Sequence, residues 1–168
     1  PISMKNDNNI LDRSIYEDEI FMKMNTEMGN ATKVEYDIYK SLLNNMMEEL
    51  PYAAHKKSPD LMITIKVSYE TMIRRIIKRG RDYEQIEKDP SLVDYYHRLL
   101  SHYDDWMDEY DESPLLIIDG DKYDFVADVK DRVKILETIE DKLYDLGNLE
   151  QTKVDELRKA HLEILKQQ

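Results

Sequence analysis

Five cationic side chains, Arg74, Arg75, Lys78, Arg79 and Arg81, fall within eight positions around a single glycine, Gly80. The chain that carries them is acidic, with 36 Asp and Glu against 24 Lys and Arg and a formal net charge of -12. A protein that gathers its cations this tightly is placed to hold an anion. Arginine suits phosphate, since its planar guanidinium offers paired donors and stays charged throughout the physiological range. Arg75 and Arg79 stand one turn apart on a helix that Gly80 ends, so both can reach one ligand. A solvated basic face beside a glycine C-cap would use the same residues, and this segment alone does not separate the two readings.

Composition narrows the partners. The acidic balance argues against nucleic acid and against anionic membrane surfaces, which repel such a chain, while leaving room for a local cationic pocket. There is no cysteine, so disulfides and thiolate metal sites are excluded, as suits a reducing compartment. His55, His97, His102 and His161 show no metal-ligand spacing, and no metal site is expected. No apolar run approaches bilayer length, and Lys5 to Asn9 is polar where a signal peptide would be apolar. The expectation is a soluble cytoplasmic protein, with 168 residues enough for one domain and one core.

The elements that must position the arginines follow from periodicity. Short apolar runs at Asn9–Leu11, Leu61–Val67 and Leu115–Ile118 read as strands, with helical patterns between and after them. That alternation predicts an α/β fold with a parallel sheet flanked by helices. Helices are expected over Ile15–Met28, over Lys33–Leu50 behind a Thr32/Glu35 capping box, and over Tyr69–Arg79 behind Ser68. The second should bury Tyr36, Tyr39, Leu43 and Met46 or Met47. Further helices are expected over Ser91–Tyr110, with a stripe of Tyr95, Leu99, His102, Tyr103 and Trp106, and over Val126–Tyr144. Thr152–Leu165 is amphipathic, with Thr152 as its cap and Val154, Leu157, His161, Ile164 and Leu165 on one stripe. A helix this short is marginal alone and should dock on the domain or on a second copy. The chain divides into 1–147 as one domain, with a lid at about 74–85, and 148–168 as a terminal helix.

Three motifs in order carry a family resemblance: Asp12-Arg13-Ser14-Ile15-Tyr16-Glu17-Asp18, then Arg79-Gly80-Arg81-Asp82-Tyr83-Glu84-Gln85, then Ile118-Asp119-Gly120-Asp121 with Asp124-Phe125. The chain from about Asn8 to about Tyr144 resembles the deoxynucleoside kinases, in particular the bacterial deoxyadenosine/deoxyguanosine kinase branch. The resemblance implies a P-loop-kinase sheet and transfer of a phosphoryl group from ATP, or another nucleoside triphosphate, with Mg²⁺, to the 5′-hydroxyl of a purine deoxynucleoside in salvage. It implies that Arg13 sits at the 5′-hydroxyl and transferred phosphate, and that Asp12 supports the metal and phosphate region. Asp18 would bond the nucleobase, Phe21 would stack on it, and Glu84 would accept the 3′-hydroxyl. Arg75, Arg79 and Arg81 would form a lid over the donor phosphates, with Asp124 and Phe125 bordering the donor base. Taken singly, Asp12 and Ser14 also suit helix capping, Phe21 core packing, and Asp119-Gly120 a strand-exit turn.

The family's glycine-rich phosphate loop has no counterpart here, since Gly29, Gly80, Gly120 and Gly147 each stand alone, and no glutamate precedes Asp12. The chain therefore reads as the C-terminal portion of a kinase fold without its first strands, inactive alone and completed by an N-terminal kinase segment. By the family's topology the absent first strand would lie between the strand ending at Asp12 and the one starting at Leu61. A homodimer is also expected. Two other readings stay open: a non-catalytic helical interaction protein derived from a kinase, and a thymidylate-kinase-like nucleotide kinase, which Arg79–Gln85 fits less well.

Overall fold

The computed structural model describes residues 10–49 and 58–166, the side chains of 47–49 excepted. The chain forms two units, residues 1–58 with 80–110 and residues 59–79 with 111–168.

The first unit is helical. Helix α1 (Ile15–Glu27) starts at Ser14, whose hydroxyl accepts the Tyr16 N–H at 3.0 Å, and Glu17 and Asp18 sit in its positive first turn. Helix α2 (Lys33–Glu49) begins with the expected capping box: Thr32 Oγ1 accepts the Glu35 N–H at 3.2 Å, and Glu35 Oε2 accepts the Thr32 N–H at 2.7 Å. Glu19 of α1 ties the pair together by accepting from the Tyr36 hydroxyl and from Lys40 Nζ at 2.9 Å. Tyr36, Tyr39 and Leu43 are half-buried as expected, whereas Met46 is exposed in line with Val34, Ile38 and Leu42.

Helix α4 (Leu92–Glu109) packs on α1, with Ile20 and Met24 buried on one side and Tyr96 and Met107 on the other. The stripe read from the sequence is half-buried and meets α1 through His102, Tyr103 and Trp106. The Trp106 indole donates to the Tyr16 carbonyl at 3.0 Å, and His102 Nε2 lies 2.8 Å from Glu27 Oε2. Trp106 and His102 each carry a polar tip that finds its partner on α1, which suits their half-burial.

The second unit holds the sheet. Strands β1 (Met62–Lys66) and β2 (Leu115–Asp119) pair in parallel, Met62 opposite Leu115 and Lys66 opposite Asp119. The strand expected at Asn9–Leu11 is not formed. Ile10 and Leu11 are irregular and exposed, and Asn9 lies outside the described residues. Backbone groups hold a strand only against a neighbour, and among the described residues only β1 and β2 pair.

Helix α3 (Tyr69–Arg79) follows β1 directly, with Ser68 Oγ accepting the Thr71 N–H at 3.3 Å, and buries Thr71 and Ile76. It stops at Gly80, whose φ of 72° is left-handed and open to glycine without strain. Helix α5 (Val129–Asp145) starts three residues later than Val126 because the Asp128 carboxylate caps it, accepting the Lys130 N–H at 2.7 Å.

Helix α6 (Gln151–Lys166) docks on α5 and buries Val154 and His161, while Ile164 stays exposed. Thr152 is not its cap: it lies within the helix, and the Glu150 carbonyl takes the N–H groups of Lys153 at 3.0 Å and Val154 at 3.1 Å. The α5–α6 seam holds an ion network in which Glu140 accepts from Arg158 at 2.5 Å and faces His161 Nε2 at 2.8 Å, while Arg158 also reaches Asp141. Glu140 and His161 are buried, so losing the Arg158 or His161 contact would leave the Glu140 carboxylate poorly paired, and this network helps fix the register of α6 on α5.

Gly120 ends β2 against β1. Its N–H donates to the Lys66 carbonyl at 2.8 Å, and a Cβ there would lie 2.6 Å from Val67 Cγ1 and 2.8 Å from Ile65 Cγ2. Gly120→Ala should therefore lower stability by about 1–3 kcal/mol through overpacking at the strand ends. Urea unfolding checks this, and an unchanged midpoint would show that the two strand ends part freely.

Candidate functional site

The residues expected to do chemistry fall at three places. The first is the start of α1. Arg13 has a φ of 69°, the one left-handed non-glycine among the described residues. Such a conformation costs roughly 1–3 kcal/mol and persists where surroundings or function demand it. The Arg13 guanidinium lies over the Phe21 ring, its Cζ 5.0 Å from the centroid, and its Nε is 3.9 Å from Glu17 Oε1. Tyr103 of α4 meets Phe21 edge to face at 6.4 Å. Asp12 and Asp18 are exposed on either side of this group.

Electrostatics mark the same place. Burial pushes the Glu17 carboxyl above its ordinary value, with Arg13 opposing. Burial, and then the charge of Glu17, pushes the Tyr103 phenol up. On α2, Tyr39 is raised by burial and then by Asp18. Arg13 and Phe21, grouped above through the family resemblance, touch at the start of α1, Asp18 is exposed on the same helix, and Glu17 and Tyr103 join the pair unforeseen. Glu17 had a readable signal, since it stands four residues after Arg13. Tyr103 had none as a partner of this group, because its contact with Phe21 crosses 82 positions of chain.

The second place is the turn after Gly80. Asp82–Glu84 forms a single 3₁₀ turn, and the Tyr96 hydroxyl donates to the Glu84 carbonyl at 2.9 Å. Arg81 donates to Glu84 Oε1 at 3.3 Å, and Lys88 pairs with Asp82 at 2.6 Å. Glu84 is thus held on the backbone side by a buried tyrosine while its carboxylate is shared with an exposed arginine.

The third is the loop after β2, in the second unit. Asp119 Oδ1 accepts the N–H groups of Asp121 at 3.0 Å and Lys122 at 3.1 Å, which forms the strand-exit turn. Asp121 reaches back to accept the Ser68 N–H at 2.9 Å and the Ser68 hydroxyl at 3.0 Å. Hydrogen bonds from Thr71 foremost, and from Ser68, hold its carboxyl below the usual value. Arg75 donates to the carbonyls of Gly120 at 2.7 Å and Tyr123 at 3.2 Å.

Asp124 and Phe125 follow in the same loop. The Asp124 N–H donates to Asp131, the Asp124 carbonyl accepts the Asp128 N–H at 2.7 Å, and Arg132 clamps the Phe125 and Val126 carbonyls. These bonds brace the loop, and Arg132 is the part that sequence reasoning did not supply.

The arginine cluster is therefore not uniform. Arg75 spends one guanidinium nitrogen on the loop backbone, and Arg74 donates to Thr71 at 3.2 Å. Arg79 is exposed on the last turn of α3, and Arg81 is engaged by Glu84. Arg75 and Arg79 belong to the second unit and Arg81 to the first, with the division at Gly80.

The residues present fit only part of a triphosphate and its metal. Three of the four glycines end helices and the fourth packs on β1, so none builds a phosphate cradle. Among the described residues no group of three or more His, Cys, Asp or Glu is gathered to hold a metal ion. No described helix is long and apolar enough to cross a membrane.

A parallel pair of strands, each followed by a helix, is an α/β arrangement with polar groups at the strands' carboxyl ends. The family model described as deoxynucleoside kinase matches residues 2–144. The chain is 54% identical over 147 residues to a deoxyguanosine kinase of Lactobacillus acidophilus, covering 88% of this chain and 64% of that protein. It is 53% identical over 148 residues to a deoxyguanosine kinase of Lactobacillus johnsonii, covering 88% and 66%. Against a deoxyadenosine kinase of Lactobacillus acidophilus it is 51% identical over 142 residues, covering 84% and 66%. No solved structure matches significantly. The chain belongs to the deoxynucleoside kinase family, and it spans 64% to 66% of the length of these relatives.

The left-handed Arg13 can be tested apart from any activity. Arg13→Gly and Arg13→Ala both delete the guanidinium, but only glycine accepts this φ without strain. Arg13→Gly should be the more stable of the two by up to about 1 kcal/mol in urea unfolding. The reverse order would show that the turn is not left-handed in solution.

Proposed function

We propose that this chain forms the nucleoside-facing and lid-bearing part of a kinase that transfers the γ-phosphoryl group of ATP, or another nucleoside triphosphate, with Mg²⁺, to the 5′-hydroxyl of a purine deoxynucleoside. The observation that carries the reading is Arg13, held left-handed at the start of α1 with its guanidinium over Phe21 and beside Glu17. A backbone cost at a motif arginine is hard to explain by packing when the side chain is exposed.

In this reading Arg13 steadies the 5′-oxygen and the phosphoryl group in flight, where charge neutralisation supplies most of the rate. Asp12 supports the phosphate region. Asp18 hydrogen-bonds the base and Phe21 stacks on it, sharing or giving up its contact with Arg13. Glu84 takes the 3′-hydroxyl once Arg81 turns from it toward the donor phosphates together with Arg79. Arg75 acts on the donor side through the loop it holds, which carries Asp124 and Phe125. It donates to backbone carbonyls, so its share in the lid is that of an anchor.

The phosphate cradle and the base that takes the 5′-hydroxyl proton are not among these 168 residues. Without them the chain alone should not phosphorylate deoxyadenosine or deoxyguanosine, since each contributes orders of magnitude in rate. Mixing the chain with the N-terminal third of a relative, where the family resemblance implies the phosphate loop, should restore label transfer from the triphosphate to deoxyguanosine or deoxyadenosine. Turnover by the pure chain would refute the partial-site reading, and failure of every mixture would favour a non-catalytic role.

Glu84 gives the sharper check. In the restored enzyme Glu84→Gln should cost roughly 1.5–3 kcal/mol in kcat/KM for 2′-deoxynucleosides, the worth of a hydrogen bond to a charged group. Analogues lacking the 3′-hydroxyl should lose far less. Equal losses would place Glu84 away from the sugar.

A further inference from the structure

Glu17 is odd where it stands. The first turn of α1 does not need it as a cap, because Ser14 already serves Tyr16 through its hydroxyl and Glu17 itself through its carbonyl at 3.3 Å. Yet its side chain is turned inward, 17% exposed, while Arg13 four residues earlier is 62% exposed. A carboxylate withdrawn from water needs a cation, and the guanidinium of Arg13 is the one at hand, 3.9 Å away. Arg13 in turn is a long side chain with several rotatable bonds, and it hangs from a left-handed backbone position that fixes only where its Cβ points.

We infer that Glu17 is a positioning residue for Arg13: its carboxylate and the Phe21 ring hold the guanidinium from two sides and so fix the direction in which its terminal nitrogens face. Glu17 approaches the Nε side, which leaves the NH1 and NH2 donors for an oxygen ligand. Phe21 supplies the flat surface at 5.0 Å, and Tyr103 buttresses Phe21 from its edge. This arrangement deepens the kinase reading above, since a guanidinium that must meet a phosphoryl group gains from being aimed beforehand.

The tether depends on charge. Within its own segment Glu17 faces Arg13, which favours its ionised form, and Asp18 and Asp12, which oppose it. From α4 it faces Tyr103. The ionisable groups of α2 that act on α1, Tyr36, Tyr39 and Lys40, face Glu19 and Asp18. Burial outweighs Arg13, so the Glu17 carboxyl is raised, and its charged form is lost, as pH falls, sooner than that of an ordinary glutamate. Arg13 should then loosen on the acid side.

The test uses the full 168-residue chain. Nuclear magnetic resonance follows the Glu17 carboxyl carbon and the Arg13 Nε–H signal against pH. The two should change with one shared midpoint, Glu17→Gln should abolish the change at Arg13, and Glu17→Asp should retain it. An Arg13 signal that ignores pH in the unaltered chain, or still titrates in Glu17→Gln, overturns the inference. A kinetic arm uses the chain restored with the relative's N-terminal segment. There Glu17→Gln should lower kcat by up to about five-fold, the ceiling for a partly exposed ion pair, and flatten the acid limb without changing KM for the triphosphate. An unchanged kcat and acid limb, with Arg13 still coupled to Glu17, would mean the contact does not serve the reaction, and the positioning role would fall. If no mixture turns over, the kinase reading fails, while the spectroscopic arm still decides whether Glu17 aims Arg13.

Discussion

Two five-residue strands lying parallel set the terms for everything else in the chain. Parallel neighbours cannot be joined by a tight turn, so the backbone leaving β1 must travel out and return before β2 can form. That excursion is where α3, the Gly80 stop, the Glu84 turn and α4 are found, and it passes from one compact unit to the other and back. The ladder itself is short, and its C-terminal end is closed by close packing at Gly120 and by the Asp121 carboxylate on Ser68. Arg75 completes the closure by gripping the carbonyls just past β2. The positions of Arg75, Asp124 and Phe125 therefore follow from how tightly two strand ends are bound together.

Much of this was legible in the sequence where the signal was local. The Thr32/Glu35 box, the Ser14 and Ser68 caps, and the stop at Gly80 each depend on residues within four positions, and the structure has them. Parallel pairing of the second and third apolar runs was also readable, because continuous apolar strands between helices admit little else. The failures have different causes. Ile10-Leu11 is apolar enough for a strand, but a strand needs a second segment to pair with. Thr152 looked like a cap, but the helix had already begun at Gln151, where no side chain announces it.

The site divides along the same line. The cluster around Gly80 could be grouped from the sequence itself, whereas Arg13, Asp18 and Phe21 were grouped through the family resemblance. What each arginine does could not. Guanidinium groups that look equivalent in a row of letters are spent differently: one on Thr71, one on loop carbonyls, one on Glu84. Arginine serves ligand binding and backbone bracing with the same donors, and only the distances tell which is served. Arg132 belongs to the bracing class and carried no motif at all, though it clamps the loop that bears Phe125.

The single tryptophan of the chain gives this arrangement an optical side. Its indole N–H is tied to the carbonyl of Tyr16, at the very turn of α1 that bears Arg13 and Glu17, and its ring leans against Tyr103 and Tyr110. Indole emission shifts with the polarity and hydrogen bonding around the ring. Any ligand that displaces Arg13 from Phe21, or nudges Tyr103, thus alters the surroundings of the one strong fluorophore present. The chain carries its own dye, attached at the place where its chemistry would begin.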